Sequence, residues 1–96
     1  MSDAEKREKL HQILDLVIDI NGFDSRQVRL TGDKPTAFFW FSGHVSSLEV
    51  FLYTRGYKRN SKHDVRMEDY IDRENPMLDE IIQKLEEIKD GIYTGI

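Results

Sequence analysis

The apolar residues of this chain follow a helical spacing at both ends and an alternating spacing between them, and this change of period limits the available folds. Near the N-terminus they recur three and four positions apart, at Leu10, Ile13, Leu14, Val17 and Ile18. Near the C-terminus the same spacing returns, at Leu78, Ile81, Ile82, Leu85 and Ile88. These stripes predict two amphipathic helices, over residues 2–21 and 76–90.

Both predicted helices carry end signals. Ser2 and Glu5 have the spacing of a capping box, in which each side chain bonds a free backbone N–H group. At the second helix, Asn75 is a suitable N-cap and Pro76 stands where proline is favoured, at the first helical position. Gly91 is a suitable stop, because glycine tolerates left-handed backbone.

The region between the helices contains strand candidates. Arg26–Thr31, Ala37–Phe41 and Leu48–Tyr53 alternate and are rich in β-branched or aromatic residues. Asp64–Ile71 is ambiguous, because it alternates at first and then takes a helical spacing. We therefore expect a single α+β domain over residues 1–96, with α-β-β-β-α order and a three-stranded antiparallel sheet that carries both helices on one face.

Alternation along the strands predicts which side chains face the helices. In the last of the three strands the purely aliphatic set is Leu48, Val50 and Leu52, so we expect it to face inward. The strand before it has no polar face, and its inner side stays open on pattern alone. From the bulk of its side chains, we favour the set with Phe39 and Phe41 as the one that faces the helices. The outer face would then hold the other four rings, Phe38, Trp40, Phe51 and Tyr53.

An apolar outer face calls for an explanation, because antiparallel sheets usually have one wet, polar side. A partner protein or a second copy of the chain could cover it. Single-stranded nucleic acid could stack its bases on it. Alternatively, the segment 64–71 or the C-terminal tail could fold over it and make it ordinary core.

A basic segment adjoins this face. Residues 55–66 contain five basic residues and one acid, a local charge of +4 in a chain whose formal net charge is −4. The candidate binding cations are Arg55, Lys58, Arg59 and Lys62. Cations beside aromatic rings suit the binding of single-stranded nucleic acid, because the cations can pair with its phosphates while its bases stack on the rings. A solvated polar loop is the commoner role of such a segment, and the acidic remainder of the chain would repel a polyanion.

No catalytic or cofactor signature is present in the sequence. The chain has no cysteine, and its histidines, His11, His44 and His63, form no metal-ligand pair on a helix. Nothing resembles a glycine-rich phosphate loop or a nucleophile with its base. We therefore expect no enzyme activity, no metal and no cofactor. The absence of a long apolar run, of a signal-peptide core and of cysteine predicts a cytoplasmic protein that does not engage membranes.

The stretch FFWFSGHVSSLEVFLYTRGYKR, residues 38–59, resembles small proteins encoded by bacteriophages and prophages of low-GC Gram-positive bacteria. The shared features are an aromatic strand that ends in SGHV, the alternating LEVFLY and a Gly-Tyr turn. The resemblance implies a phage or host-interaction setting. It implies no activity and assigns no residue a role.

The function expected from the sequence is non-catalytic interaction through the aromatic face of the sheet. The partner would be another protein or a second copy of the chain, which would form a homodimer. The alternative is single-stranded nucleic-acid binding by the same face together with the basic segment.

Overall fold

The computed structural model describes residues 1–23, 34–58 and 61–91 of the chain. Along these ranges one helix is followed by three strands and a second helix. The elements are α1 (Asp3–Asn21), β1 (Thr36–Ser42), β2 (Ser47–Tyr53), β3 (Val65–Tyr70) and α2 (Leu78–Lys89). The predicted α+β class, element order and three-stranded antiparallel sheet are confirmed.

The ambiguous segment 64–71 supplies the third strand. It pairs antiparallel with β2, which lies at the centre of the sheet in the order β1-β2-β3. Asp64 N–H donates to the Leu52 carbonyl at 3.0 Å and Ile71 N–H to the Ser46 carbonyl at 2.7 Å, so pairing extends over the whole segment. Its alternation therefore outweighs its helical spacing, because a strand edge was available to pair with. The strand candidate Arg26–Thr31 lies outside the described residues.

The ends of α1 are as predicted, but its buried stripe is only partly so. Ser2 and Glu5 form the capping box, and the helix stops at Gly22, which has a φ of 68°. The buried residues are Ile13, Leu16, Val17 and Ile20. The inward placement of Leu14 was wrong, since this side chain is 40% exposed. Two overlapping stripes fit the helical period here, one that includes Leu14 and one that includes Leu16 and Ile20. Packing against the sheet and α2 buries the second.

The predicted start of α2 was wrong by two residues. The helix begins at Leu78, and no side chain caps its first turn from Met77. The Asn75 carboxamide oxygen instead accepts a hydrogen bond from the Met1 amino group at 3.1 Å. Asp69 on β3 accepts the Met77 N–H at 2.8 Å, so a strand residue satisfies the donor that a cap would have taken.

The core lies between the two helices and one face of the sheet, as predicted. Leu48, Val50 and Leu52 have no exposed surface, which confirms the aliphatic set as the inner one. All five residues of the predicted α2 stripe are buried in the same cluster, with the inward residues of α1. Burial of this apolar area is the main term that stabilises the fold.

The two helices run in the same direction across the sheet. Lys9 pairs with Asp79 at 2.7 Å near their N-terminal ends, and Lys89 pairs with Asp19 at 3.4 Å near their C-terminal ends. Asn21 joins α1 to β1, because its carboxamide donates to the Ala37 carbonyl at 2.7 Å and accepts the Ala37 N–H at 2.8 Å. The helices are thus held over one face, and the opposite face of the sheet, the outer face, points away from them.

Candidate interaction surface

The strand register arranges the outer face in four rows. Thr36 lies beside Tyr53 in the first row. The second row is Phe38, Phe51 and Arg66, and the third is Trp40, Glu49 and Glu68. The fourth is Ser42, Ser47 and Tyr70. The four predicted outer rings therefore do share this face, with the acids and Arg66 among them.

Three of the four rings form a cluster. Phe38 and Phe51 are stacked across β1 and β2, with ring centroids 4.7 Å apart and ring planes 5° from parallel. Tyr53 meets Phe38 edge-on at 5.6 Å. Cross-strand aromatic pairs of this kind stabilise a sheet beyond the area that they bury. Because these rings stack on one another and are partly buried, a partner would contact their edges more than their faces.

Two further rings of the cluster were missed in the sequence. Tyr57 packs against Tyr53 at 5.1 Å and Phe38 at 5.8 Å, and His63 lies 5.1 Å from Phe51. Both come from the β2–β3 loop, residues 54–64, of which 59–60 lie outside the described residues; Gly56, just before Tyr57, has a φ of 92°. A tyrosine just beyond an outer-facing aromatic strand end, next to a glycine, was the available signal. The aromatic cluster is defined hereafter as Phe38, Phe51, Tyr53, Tyr57 and His63.

A hydrogen-bonded clasp closes the β2–β3 loop. The Thr54 hydroxyl donates to the Asp64 carboxylate, and Thr54 N–H donates to its other oxygen at 2.9 Å. Burial would raise the pKa of Asp64, but these two bonds, with smaller help from Arg55, lower it below its usual value. The carboxylate therefore stays ionised and holds both ends of the loop together.

Trp40 stands apart from the aromatic cluster. Its side chain is 63% exposed, and among the described residues no ring stacks on its indole. The indole N–H donates to the Ser42 hydroxyl at 2.9 Å, two residues along the same strand. Its neighbour across the strand pair is Glu49. A large apolar surface thus faces solvent about halfway along β1, an edge strand of the sheet.

The third strand brings charge to this face. The Arg66 guanidinium contacts the Glu49 carboxylate at 2.7 Å and the Glu68 carboxylate at 3.2 Å. Two acids therefore share one cation, and one of these acids, Glu49, is the cross-strand neighbour of Trp40. Exposed pairs of this kind add little stability, so their main effect is to give this part of the face a negative character.

The predicted cations lie at the other end of the face. Arg55, Lys58 and Lys62 are exposed on the β2–β3 loop beside Tyr53 and the rest of the aromatic cluster, and Arg59 lies outside the described residues. The basic segment continues to Arg66, which belongs to β3 and is paired with acids. The outer face is thus basic and aromatic at one end, and acidic around Trp40.

A cleft of about 500 Å³ lies at the inner side of the sheet, under the first turns of α1. Its apolar lining includes Leu10, Phe39, Phe41 and Ile71. Phe39 packs on the core, as predicted. Phe41 points to the same side but is 45% exposed, because the charged start of α1 leaves it uncovered.

Within ranges 1–23, 34–58 and 61–91, no three histidine, aspartate or glutamate side chains converge to hold a metal ion. His44 belongs to the turn before β2, whereas His63 lies against Tyr53 at the far end of that strand. His44 and His63 are thus at opposite ends of the sheet. No helix in the described part of the chain is long and apolar enough to cross a bilayer.

No protein-family model, curated protein or solved structure matches this chain in the comparisons made.

Proposed function

We propose that this protein is a non-catalytic interaction module that binds another protein chain through the outer face of its sheet. The observation that carries this proposal is Trp40, the single tryptophan of the chain, which is 63% exposed on that face, about halfway along the edge strand β1. Tryptophan is enriched among residues whose removal costs an interface most of its binding energy, because its large ring fills a pocket in the partner. Trp40 is the expected anchor.

The surroundings of Trp40 suit a protein partner. Half-exposed rings of the aromatic cluster lie on one side of it, and Arg66 with its two glutamates on another. An apolar centre bordered by charged groups is the usual anatomy of an interface between proteins. Glu49 and Glu68 would repel phosphate at the place where the largest ring is free.

A photo-crosslinking amino acid at position 40, introduced into the full chain in its native cells, tests this proposal. We expect one protein to be captured from position 40 and not from position 14, where Leu14 is exposed on α1, away from the sheet. The captured protein, once purified, should bind the unmodified chain, and Trp40→Ala should weaken that binding at least tenfold.

Leu14→Ala is the matched control, since it removes exposed apolar surface at another place. Equal loss of binding in Leu14→Ala and Trp40→Ala would contradict the proposal, because the outer face would then have no special part. Absence of any captured protein at position 40, with successful capture at position 14, would contradict it as well.

A second candidate function rests on a separate observation, the group of exposed cations beside the aromatic cluster. Arg55, Lys58 and Lys62 could follow a phosphate backbone while bases contact Tyr53 and Tyr57. The test is titration of a fluorescent oligothymidylate at several salt concentrations. Lys58→Glu with Lys62→Glu should lower affinity and reduce the salt slope by about 1.4, since each contact with single strands contributes about 0.7.

Unchanged oligonucleotide affinity in that double variant would exclude the second function. For the compartment we propose the cytoplasm, which is supported by the absence of cysteine from a 96-residue chain. The phage setting implied by the resemblance stays a prediction.

A further inference from the structure

We propose that the chain that covers the outer face is a second copy of this protein, related to the first by a twofold axis that runs across the strands. This inference rests on the proposed function, since it names the partner of the same surface. Its basis is the order of side chains on the two outer strands of the face, which is complementary when it is reversed.

The register supplies the geometry. In a face-to-face pair of sheets, an axis that crosses the strands between the second and third rows places each strand over its own copy, running the opposite way. Trp40 of one copy then lies over Phe38 of the other. On the third strand, Glu68 of one copy lies over Arg66 of the other. Both contacts occur twice, as an isologous interface requires.

The charges favour this orientation over its alternative. One end of the face carries Arg55, Lys58 and Lys62, and the part around Trp40 carries Glu49 and Glu68. Reversal brings the basic end of each copy toward the acidic part of the other. An axis along β2 would instead keep every row opposite itself: Glu49 would lie over Glu49 of the other copy, and the basic ends of the two copies would face each other. Opposed like charges weaken an interface, so they disfavour that arrangement.

Arg66 can serve both copies. Its guanidinium already contacts two carboxylates of its own chain, at 2.7 and 3.2 Å, and it retains further N–H groups for a third acceptor. Acids of the second copy would therefore meet a cation that is held in place on the sheet. The pairing would add specificity of orientation, while Trp40 and the aromatic cluster would add the apolar contact.

The size of the face sets the strength of the pair. Three strands about 4.8 Å apart, of up to seven residues each, give a face roughly 14 Å wide and about 23 Å long. Such a face has a flat area of roughly 320 Å² per copy, below the about 800 Å² per partner of a standard interface, so contacts of the β2–β3 loop must add to it. We therefore expect a dimer that dissociates on dilution.

The first measurement is mass by multi-angle light scattering over a concentration series, with Trp40 emission recorded on the same samples. We expect the mass to fall from that of two chains to that of one as the protein is diluted, and the emission to shift to the red over the same range. A monomeric mass at every concentration up to the millimolar range would overturn the inference.

A charge exchange then tests the orientation. Glu68→Arg leaves two arginines at positions 66 and 68, and Arg66→Glu leaves two glutamates, so each variant alone should dimerise at least tenfold more weakly than the natural chain. Mixed in equal amounts, the two variants should recover the dimer, because every facing pair is again of opposite sign. Circular dichroism and the unfolding midpoint of each variant establish that it is folded.

The matched control moves the same charges to other surfaces, with Glu86→Arg mixed with Arg7→Glu. These residues are exposed on the helices, away from the outer face. Neither control variant should change the dimer constant by more than about twofold. Equal weakening of the dimer by the control variants, or no recovery in the test mixture, would overturn the proposed axis.

The two proposals fail in distinguishable ways. If the chain is monomeric at all concentrations while position 40 still captures a different protein, the second-copy inference is wrong and the proposed function stands. If the chain is monomeric and position 40 captures nothing, both are wrong. If it dimerises but Trp40→Ala and Glu68→Arg leave the dimer unchanged, another face forms the dimer and the inference is again wrong.

Discussion

At the residue scale, Asp69 shows how one side chain joins the sheet to the second helix. It lies on β3 and is only 3% exposed. Its carboxylate accepts the Met77 and Tyr70 N–H groups, each at 2.8 Å, and lies 3.2 Å from the Arg73 guanidinium. Burial would raise the pKa of Asp69, but the two hydrogen bonds and Arg73 hold it below its usual value.

Asp69→Asn should therefore lower the free energy of unfolding by about 2–3 kcal/mol, because one acceptor is replaced by a donor that faces an N–H group. Urea unfolding measures this. Asp72→Asn, at an exposed neighbouring position, is the control and should change stability by less than about 0.5 kcal/mol. Equal effects of the two substitutions would show that the buried bonds do not stabilise the fold.

The same carboxylate predicts a pH dependence. A pKa that is lower in the folded than in the unfolded chain adds stability at pH above the unfolded value, about 3.9 for aspartate, and this stability is lost as the pH falls through the folded pKa. Unfolding free energy should thus decrease below about pH 4, with Asp64 contributing in the same sense. The decrease should be shallower in Asp69→Asn, and an equal slope would contradict this cause.

Exposure separates Trp40 from the core at the same scale. Leu48 is fully buried, so Leu48→Ala should lower the free energy of unfolding by about 3 kcal/mol, through lost transfer energy and the cavity left behind. Trp40→Ala should cost the monomer less than about 1 kcal/mol, because its ring is mostly in water already. Urea unfolding at a concentration where the chain is monomeric compares them. A larger loss in Trp40→Ala would mean that its ring is core.

At the scale of elements, the β2–β3 loop links the sheet to its outer cluster. The Thr54–Asp64 clasp closes it, and Tyr57 and His63 then pack on rings that belong to strands. The apolar outer face is therefore covered in part by this loop. Neither the segment 64–71, which forms β3, nor any other described part of the chain covers Trp40.

Thr54→Val should open the clasp. It removes the O–H donor that lowers the pKa of Asp64, so this pKa should rise, as followed by NMR titration of the carboxyl group. The ring signals of His63 should lose their shift from Phe51 at the same time. Ser61→Ala is the control, since Ser61 bonds Lys58 and, among the described residues, makes no bond to Thr54 or Asp64. An unchanged pKa of Asp64 in Thr54→Val would contradict the role of the hydroxyl.

At the scale of the whole molecule, one core holds every described helix and strand together. Ile13 of α1, Leu48 of β2 and Leu85 of α2 all belong to it and have no exposed surface. The helices that begin and end the described fold therefore depend on each other through the sheet. Unfolding is expected to be one cooperative transition, as in most small single domains.

Ile13→Ala and Leu85→Ala test this, because each removes a buried side chain from a different helix. Each should lower the free energy of unfolding by about 2–5 kcal/mol. The helical signal in circular dichroism and the Trp40 emission should shift to the same new urea midpoint in both variants. If the two signals separated, one helix would be unfolding independently of the sheet.

Part of this architecture follows from residues that are close together in the chain. The capping box at Ser2, the stop at Gly22 and the buried stripe of α2 depend on spacings of three and four positions. The sorting of Leu48 from Phe51 depends only on alternation along β2. Such patterns lie within one helix or strand, so they can be recognised in the sequence before the packing of that element is known.

Other features depend on contacts between distant residues, which no local spacing encodes. Pairing with β2 made a strand of residues 65–70, and packing turned Leu14 of α1 outward. Asp69, and not Asn75, accepts the Met77 N–H group at the start of α2. In the β2–β3 loop, Tyr57 contacts Phe38 and His63 contacts Phe51. The exposure of Trp40 has the same origin: alternation assigned its side of the sheet, but whether anything covers that side depends on where the rest of the chain folds.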